Sequence, residues 1–140
     1  IVGYPGENEK DFEETIDLIK KVEFVNSFSF IYNKRPGTPA ANLSSINKEV
    51  QQKRLLILQS LLKEIQRKKN KKNIGKLKEV LVENKIKNQD KFFGRTFELT
   101  PVFFDATEKD VGKIIQVEIK DCNQHSLYGS KKKLDNEVAA

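Results

Sequence analysis

An α/β segment joined by a long helix to an all-β barrel is the architecture to which this sequence points. Three patterns carry that reading. Two short extended segments flank an amphipathic helical stretch within residues 1–32, which is the make-up of a βαβ unit. A second helical pattern follows through about Lys69. Five short strand-like segments then occupy residues 77–129, the spacing of a small antiparallel barrel of the OB-like kind. With 37% apolar and 33% charged residues, and nine Phe, the composition excludes wholesale disorder and collagen-like structure. The longest apolar runs, such as Leu55-Leu56-Ile57-Leu58, stop at four residues, so no membrane span is expected.

The elements follow in order. Ile1-Val2 leading into Gly3, Pro5 and Gly6 reads as a strand running out into a tight turn, since Gly admits unusual dihedrals and Pro removes a ladder donor. Asn8 is placed to cap a helix, with Asp11 reaching back as in a capping box, and Phe12, Ile16, Ile19 and Val22 then share one helical face. Phe28, Phe30 and Tyr32 alternate with smaller or polar neighbours, which predicts a second strand to about Tyr32, parallel to the first and joined to it by a right-handed crossover. Two parallel strands leave an open edge and an uncovered face, so further strands are expected upstream. The chain also has no Met, not even at position 1, and is read as the C-terminal part of a longer protein.

After the Pro36–Pro39 turn region, Ser44 or Ser45 opens the long helix, with Val50, Ile57, Leu61 and Ile65 on one face, widened by Leu55, Leu58 and Leu62. Asn70 to Gly75 breaks it. The expected strands are Leu77–Glu83, Phe92–Leu99, Val102–Asp105, Ile114–Lys120 and Leu127–Gly129, and Phe97, Phe103 and Phe104 are expected in the barrel core. The resulting organisation is 1–41 for the α/β end, 42–72 for a basic connecting helix, 73–130 for the barrel and 131–140 for a flexible tail beginning at Lys131.

Charge is uneven. Residues 1–40 carry a net −2, 41–72 a net +7, 73–130 zero and 131–140 +1, which make up the formal +6. Arg67, Lys68, Lys69, Lys71 and Lys72 supply much of the middle excess. They would either draw phosphates or simply complement the negative end of the helix. A single cysteine, Cys122, allows no internal disulfide. The N-terminus lacks the order of a secretory signal, so the cytoplasm is the expected compartment. One Cys and one His, His125, fall short of a closed cluster site, so no metal-ligating residue is expected in this stretch.

Two loops and the barrel together carry a resemblance. Ile1-Val2-Gly3-Tyr4-Pro5-Gly6-Glu7, Asp11-Phe12, and Phe28-Ser29-Phe30-Ile31-Tyr32 leading to Arg35-Pro36-Gly37-Thr38-Pro39-Ala40-Ala41 resemble the end of the partial TIM barrel of radical S-adenosylmethionine tRNA methylthiotransferases. Gly75 to Gly129, with Gly94-Arg95-Thr96, Gly112-Lys113 and Ser126-Leu127-Tyr128-Gly129, is similar to the TRAM domain that ends those enzymes.

The resemblance implies S-adenosylmethionine and two 4Fe–4S clusters in the full-length enzyme. It also implies clusters ligated outside this fragment, which on its own would be inert, and a methylthio group added to N6-dimethylallyladenosine next to the anticodon. Arg35 favours an RNA substrate over the branch acting on a ribosomal protein, which usually has an acidic residue just before its Gly-Thr, while the branch acting on threonylcarbamoyl-adenosine stays open. The implied partners are a tRNA anticodon stem-loop and the missing N-terminal part of the same chain, with the full-length protein a monomer and no membrane involved. By this likeness Gly3, Pro5, Gly6, Glu7 and Arg35 face the cofactor. Gly37, Thr38, Arg67, Lys68, Lys69, Arg95, Lys113, His125 and Tyr128 face RNA, with Tyr128 or Phe97 stacking on a base. The alternative from another class is a non-catalytic RNA-binding adaptor.

Overall fold

A computed structural model describes residues 1–132. The chain forms two compact units that divide between Gln66 and Arg67. Its elements are α1 (Glu9–Val22), α2 (Lys48–Lys71), β1 (Leu77–Lys85), β2 (Phe92–Thr96), β3 (Pro101–Asp105), β4 (Ile114–Cys122) and β5 (Leu127–Lys131), with 3-10 turns at Pro39–Asn42 and Glu108–Asp110. Among the described residues no helix is long and apolar enough to cross a membrane.

In the first unit α1 starts where its capping box places it. The Asp11 amide donates to Asn8 Oδ1 and the Asn8 amide to Asp11 Oδ2. The helix ends at Glu23, which turns into the left-handed region at φ 50°. Val2 and Ile31 form the expected parallel contact, the Val2 amide donating to Phe30 O and the Tyr32 amide to Val2 O. The two expected strands shrink, however, to this single bridge, and Phe28 and Phe30 are largely exposed. A lone parallel pair has too few ladder bonds and too little covered face to extend further.

Val2, Phe12, Ile19 and Leu58 make the core of this unit, with Ile16, Ile31, Leu55, Leu61, Leu62 and Ile65 packed around them. Helix α2 begins at Lys48 rather than at Ser44 or Ser45, because Asn47 Oδ1 accepts from the Glu49 amide and supplies the cap. Its inward stripe is also rotated from the expected one. Val50 and Ile57 are exposed, whereas the polar Gln51 and Arg54 are buried in line with Leu58.

The second unit is a closed barrel in the order β1-β2-β3-β5-β4, with β4 returning to β1. Four ladders are antiparallel, but β3 and β5 run parallel, so the barrel is mixed rather than purely antiparallel. Strands β3 and β5 are not consecutive, and the chain between them makes a full strand's crossover, which leaves them pointing the same way. Val80, Val82, Phe92, Val102, Phe104, Val117, Ile119 and Leu127 fill the interior.

Gly94 and Gly129 let neighbouring strands close in on each other. A Cβ at Gly94 would lie 2.2 Å from Leu81 O, and one at Gly129 2.3 Å from Glu118 O, each beside a register shift in the partner strand.

Two of the three expected core Phe are outside. Strand β2 stops at Thr96, and the chain turns through Leu99 at φ 63° back to Thr100, which leaves Phe97 96% exposed. Phe103 points outward by strict alternation between the buried Val102 and Phe104. Lys131, expected to open a loose tail, instead pairs with Val117 at the end of β5, and its Nζ donates to Asp110 Oδ1 at 2.6 Å. The rest of the expected tail, from residue 133 on, lies outside the described residues.

Candidate nucleic-acid interface

On the outer wall of the barrel, alternation and register bring together side chains from four strands. Phe93 on β2 stands opposite Phe103 on β3, which in turn stands beside Tyr128 on β5. The Phe93 and Phe103 ring centroids are 5.5 Å apart and tilted by 58°. Those of Phe103 and Tyr128 are 5.6 Å apart and nearly parallel at 21°. At one end of the row the Arg95 guanidinium carbon sits 5.0 Å from the centroid of Phe93, while Nη1 donates to both Glu83 carboxylate oxygens at 2.6 and 2.7 Å. At the other end Asn123 Nδ2 donates to the Tyr128 hydroxyl at 2.9 Å. The result is one line of contacts, Glu83–Arg95–Phe93–Phe103–Tyr128–Asn123, across the wall.

The loop holding its far end is firmly set. Asn123 Oδ1 accepts from the His125 and Ser126 amides, an Asx-type turn, and the Asn123 amide donates to Ser126 O. Asn70, buried near the C-terminus of α2, donates through Nδ2 to the Asn123 and Gln124 carbonyls at 3.0 and 2.9 Å. The helix end also brings charge. Burial pushes the Cys122 thiol above its ordinary range and Asp121 adds to the effect, whereas Lys71 and Arg67 pull it down, so both cations lie within electrostatic reach of this loop. A thiol shifted in that direction is a poor nucleophile and a poor ligand.

Of the residues expected to face RNA, Tyr128 and Arg95 therefore share the row, His125 lies exposed in the loop beside it, and Arg67 lies near that loop. Arg95 is already neutralised by Glu83. Lys68 and Lys69 sit on the last turn of α2, each with an interaction of its own. Lys113 is on the connection into β4, where its carbonyl accepts from the Val82 amide.

In the first unit, Gly3, Pro5, Gly6 and Glu7 form one tightly clasped loop. The Gly3 amide donates to both Glu7 carboxylate oxygens at 3.1 Å. Arg54 Nη1 donates to Glu7 Oε1 at 2.7 Å and to the Glu7 carbonyl at 3.0 Å, and its Nη2 reaches Glu9 at 3.1 Å. Gln51 Nε2 donates to Gly3 O at 2.9 Å. Gly3 must be glycine twice over, with φ at +74° and Gln51 Cγ 2.5 Å from where a Cβ would stand. Burial works against the Arg54 charge, but its bonds to Glu9 and Glu7 outweigh it and raise the pKa. Glu7 thus spends its carboxylate on the Gly3 amide and on Arg54 of α2, Pro5 is buried, and Gly6, exposed at φ +93°, keeps open space where a side chain would be.

Arg35-Pro36-Gly37-Thr38 is a type II turn. Thr38 donates to Arg35 O through both its amide and its hydroxyl, and Gly37 has φ +82°. The Thr38 amide is thereby committed to the turn, while the Arg35 side chain is exposed.

Sequence reading missed Phe93, Phe103, Asn70, Asn123, Gln51 and Arg54. The first two were legible from period-two alternation alone. The polar four act through backbone carbonyls or partners distant in sequence and leave no local pattern. Among the described residues no group of three or more His, Cys, Asp and Glu is placed to hold a metal ion.

Comparison with known proteins gives this geometry a context. Residues 71–132 match the model of the TRAM domain. The chain is similar to the tRNA-2-methylthio-N(6)-dimethylallyladenosine synthase of Pelagibacter ubique (strain HTCC1062), with 50% identity over 139 residues, 96% of this chain and 31% of that protein. The proteins of the same name from Clostridium novyi (strain NT) and Carboxydothermus hydrogenoformans are 45% and 42% identical over 131 residues, 92% of this chain and 29% and 30% of theirs. This chain spans about three tenths of the length of these relatives. At 92–96% of this chain, these similarities take in residues of both units.

Proposed function

We propose that this chain is the C-terminal part of a tRNA methylthiotransferase that adds a methylthio group to N6-dimethylallyladenosine next to the anticodon. In this reading the barrel binds the anticodon stem-loop and the first unit contributes rim loops to the active site. The observation that carries it is the identity of 42–50% to synthases of that activity over nearly the whole chain, across both units. The compartment proposed is the cytoplasm.

The residues present divide the chemistry. S-adenosylmethionine and 4Fe–4S clusters would supply the radical and the sulfur, but this donor set does not fit a cluster. It holds one thiol, and that thiol is shifted toward its protonated form. No step is therefore assigned to cluster ligation here. The Gly3–Glu7 loop offers open backbone at Gly6 for close approach of a nucleoside, with Glu7, Arg54 and Gln51 holding its shape. Arg35, exposed at the second turn, is free in geometry to pair with a carboxylate or phosphate.

The test is nucleoside mass spectrometry of tRNA from cells lacking the full gene. The methylthio derivative should vanish, leaving N6-dimethylallyladenosine, and should return with the whole gene but not with residues 1–140 alone. Unchanged modification in the deletion strain, or restoration by the isolated chain, would overturn the reading.

A further inference from the structure

The aromatic row on the barrel wall invites a sharper question than general RNA affinity. Three rings on adjacent strands stand in direct register on the outside of the barrel rather than in its core. Neither end is loose, since Arg95 covers Phe93 and Asn123 holds the Tyr128 hydroxyl. Tyr128 is 38% exposed, so its ring is reachable from solvent. The barrel segment 73–130 has no net charge and Arg95 is neutralised by Glu83, so attraction of phosphates along this wall is weak. Cations collect instead at one end, where Asn70 ties the last turns of α2, which carry Arg67 and Lys71, to the loop that holds Asn123, and both cations act on the adjoining Cys122. A solvent-reachable ring beside a cationic edge matches a single strand, whose bases stack while its phosphates pair with the cations. A duplex buries its base faces and offers this row nothing to stack on.

We propose that Tyr128, backed by Phe103 and Phe93, stacks on an unpaired nucleobase of a single-stranded RNA segment, with Arg67 and Lys71 binding the adjoining phosphates. The inference rests on the tRNA-binding reading above and names what that surface recognises. Asn123, and through it Asn70, are positioning residues that fix the plane of Tyr128.

The test uses the full-length protein and three labelled oligoribonucleotides in anisotropy titrations: a single strand, its base-paired form and a single strand with abasic sites. Tyr128→Leu and Phe103→Leu should each weaken single-strand binding about 5- to 150-fold, the range for one base–aromatic stack. Binding of the duplex and the abasic strand should be unchanged, and so should the log–log salt slope. Tyr128→Phe, which keeps the ring, should bind within about twofold of wild type on the same scale. Arg67→Gln and Lys71→Gln should do the reverse, each lowering the slope by about 0.7.

Normal single-strand binding by both Leu variants, or equal losses on duplex, would overturn the platform and leave the row as a protein contact. Wild-type protein with no affinity for any RNA would remove the RNA-binding reading along with it. If a Leu variant fails to fold, the wild-type preference for the intact over the abasic strand still decides.

Discussion

Replacing Asp110 by Asn tests how the barrel is closed. Asp110 lies on the β3–β4 connection, buried, and its carboxylate accepts from Lys131 Nζ at 2.6 Å and from the Thr107 amide and hydroxyl at 2.9 and 2.8 Å. The Lys131 bond, then those from Thr107, hold its pKa down from 3.8 to about 2 against the opposing effect of burial. Each pKa unit corresponds to about 1.4 kcal/mol, so the ionised form contributes about 2 kcal/mol of stability. Because the folded pKa is the depressed one, that contribution is complete above pH 3.8 and is lost as pH falls through about 2. Asn keeps an acceptor for Thr107 but carries no charge for Lys131. At neutral pH Asp110→Asn should therefore lower the unfolding midpoint of the barrel by roughly 10 °C, at about 4–8 °C per kcal/mol for a small domain. Thermal unfolding followed by near-ultraviolet circular dichroism at several pH values reads the gap between the two proteins. It should narrow below pH 3.8 as the wild-type carboxyl takes up its proton. A gap that stays constant down to pH 2 would refute the charge argument and leave only packing.

Three more outcomes follow from the packing. Gly129→Ala places a methyl 2.3 Å from Glu118 O and 2.8 Å from Val117 Cγ1, where backbone must move, and should destabilise the barrel by about 1–3 kcal/mol in denaturant titration. Asn70→Leu strips the Asn123 and Gln124 carbonyls of their donor at a cost of about 1–3 kcal/mol, and amide exchange across residues 123–126 should speed up while β1 stays protected. Arg54→Met leaves Glu7 with the Gly3 amide as its main support. Because both side chains are mostly buried, the loss should reach about 3–5 kcal/mol, with the Gly3 amide exchanging far faster and Arg54→Lys recovering only part of it.

What could be read in advance follows the physical range of each signal. The capping box at Asn8 and Asp11 and the alternation of Ile115, Val117 and Ile119 are local, and they located α1 and β4 within a residue or two. The parallel contact of Val2 with Ile31 was legible because βαβ crossovers allow little else. The stripe of α2 was misjudged because an apolar template scores Val50 and Ile57 as inward and Gln51 and Arg54 as outward. The opposite holds once the Gly3–Glu7 loop supplies partners for the polar pair. Phe97 was misplaced because nothing local announces the left-handed Leu99 that ends β2 early. The parallel β3–β5 pairing and the Asn70 bonds join segments more than twenty residues apart, and no window of sequence contains both ends.

The buried polar groups of α2 follow a common logic within each unit. Gln51, Arg54 and Asn70 occupy buried positions on α2 where an apolar side chain could pack. Each instead meets backbone carbonyls of a loop: Glu7 and Gly3 in the first unit, Asn123 and Gln124 in the second. Apolar packing would hold those loops close to the helix but would leave their register free, because contact between methyl groups is non-directional. A hydrogen bond from a buried donor fixes distance and angle, and breaking it strands a desolvated carbonyl. The loops so fixed carry Gly6, which has open space where a side chain would stand, and Asn123, which donates to the Tyr128 hydroxyl. At three positions α2 thus holds a buried donor in place of an apolar side chain, and in each unit those donors set the backbone of one loop.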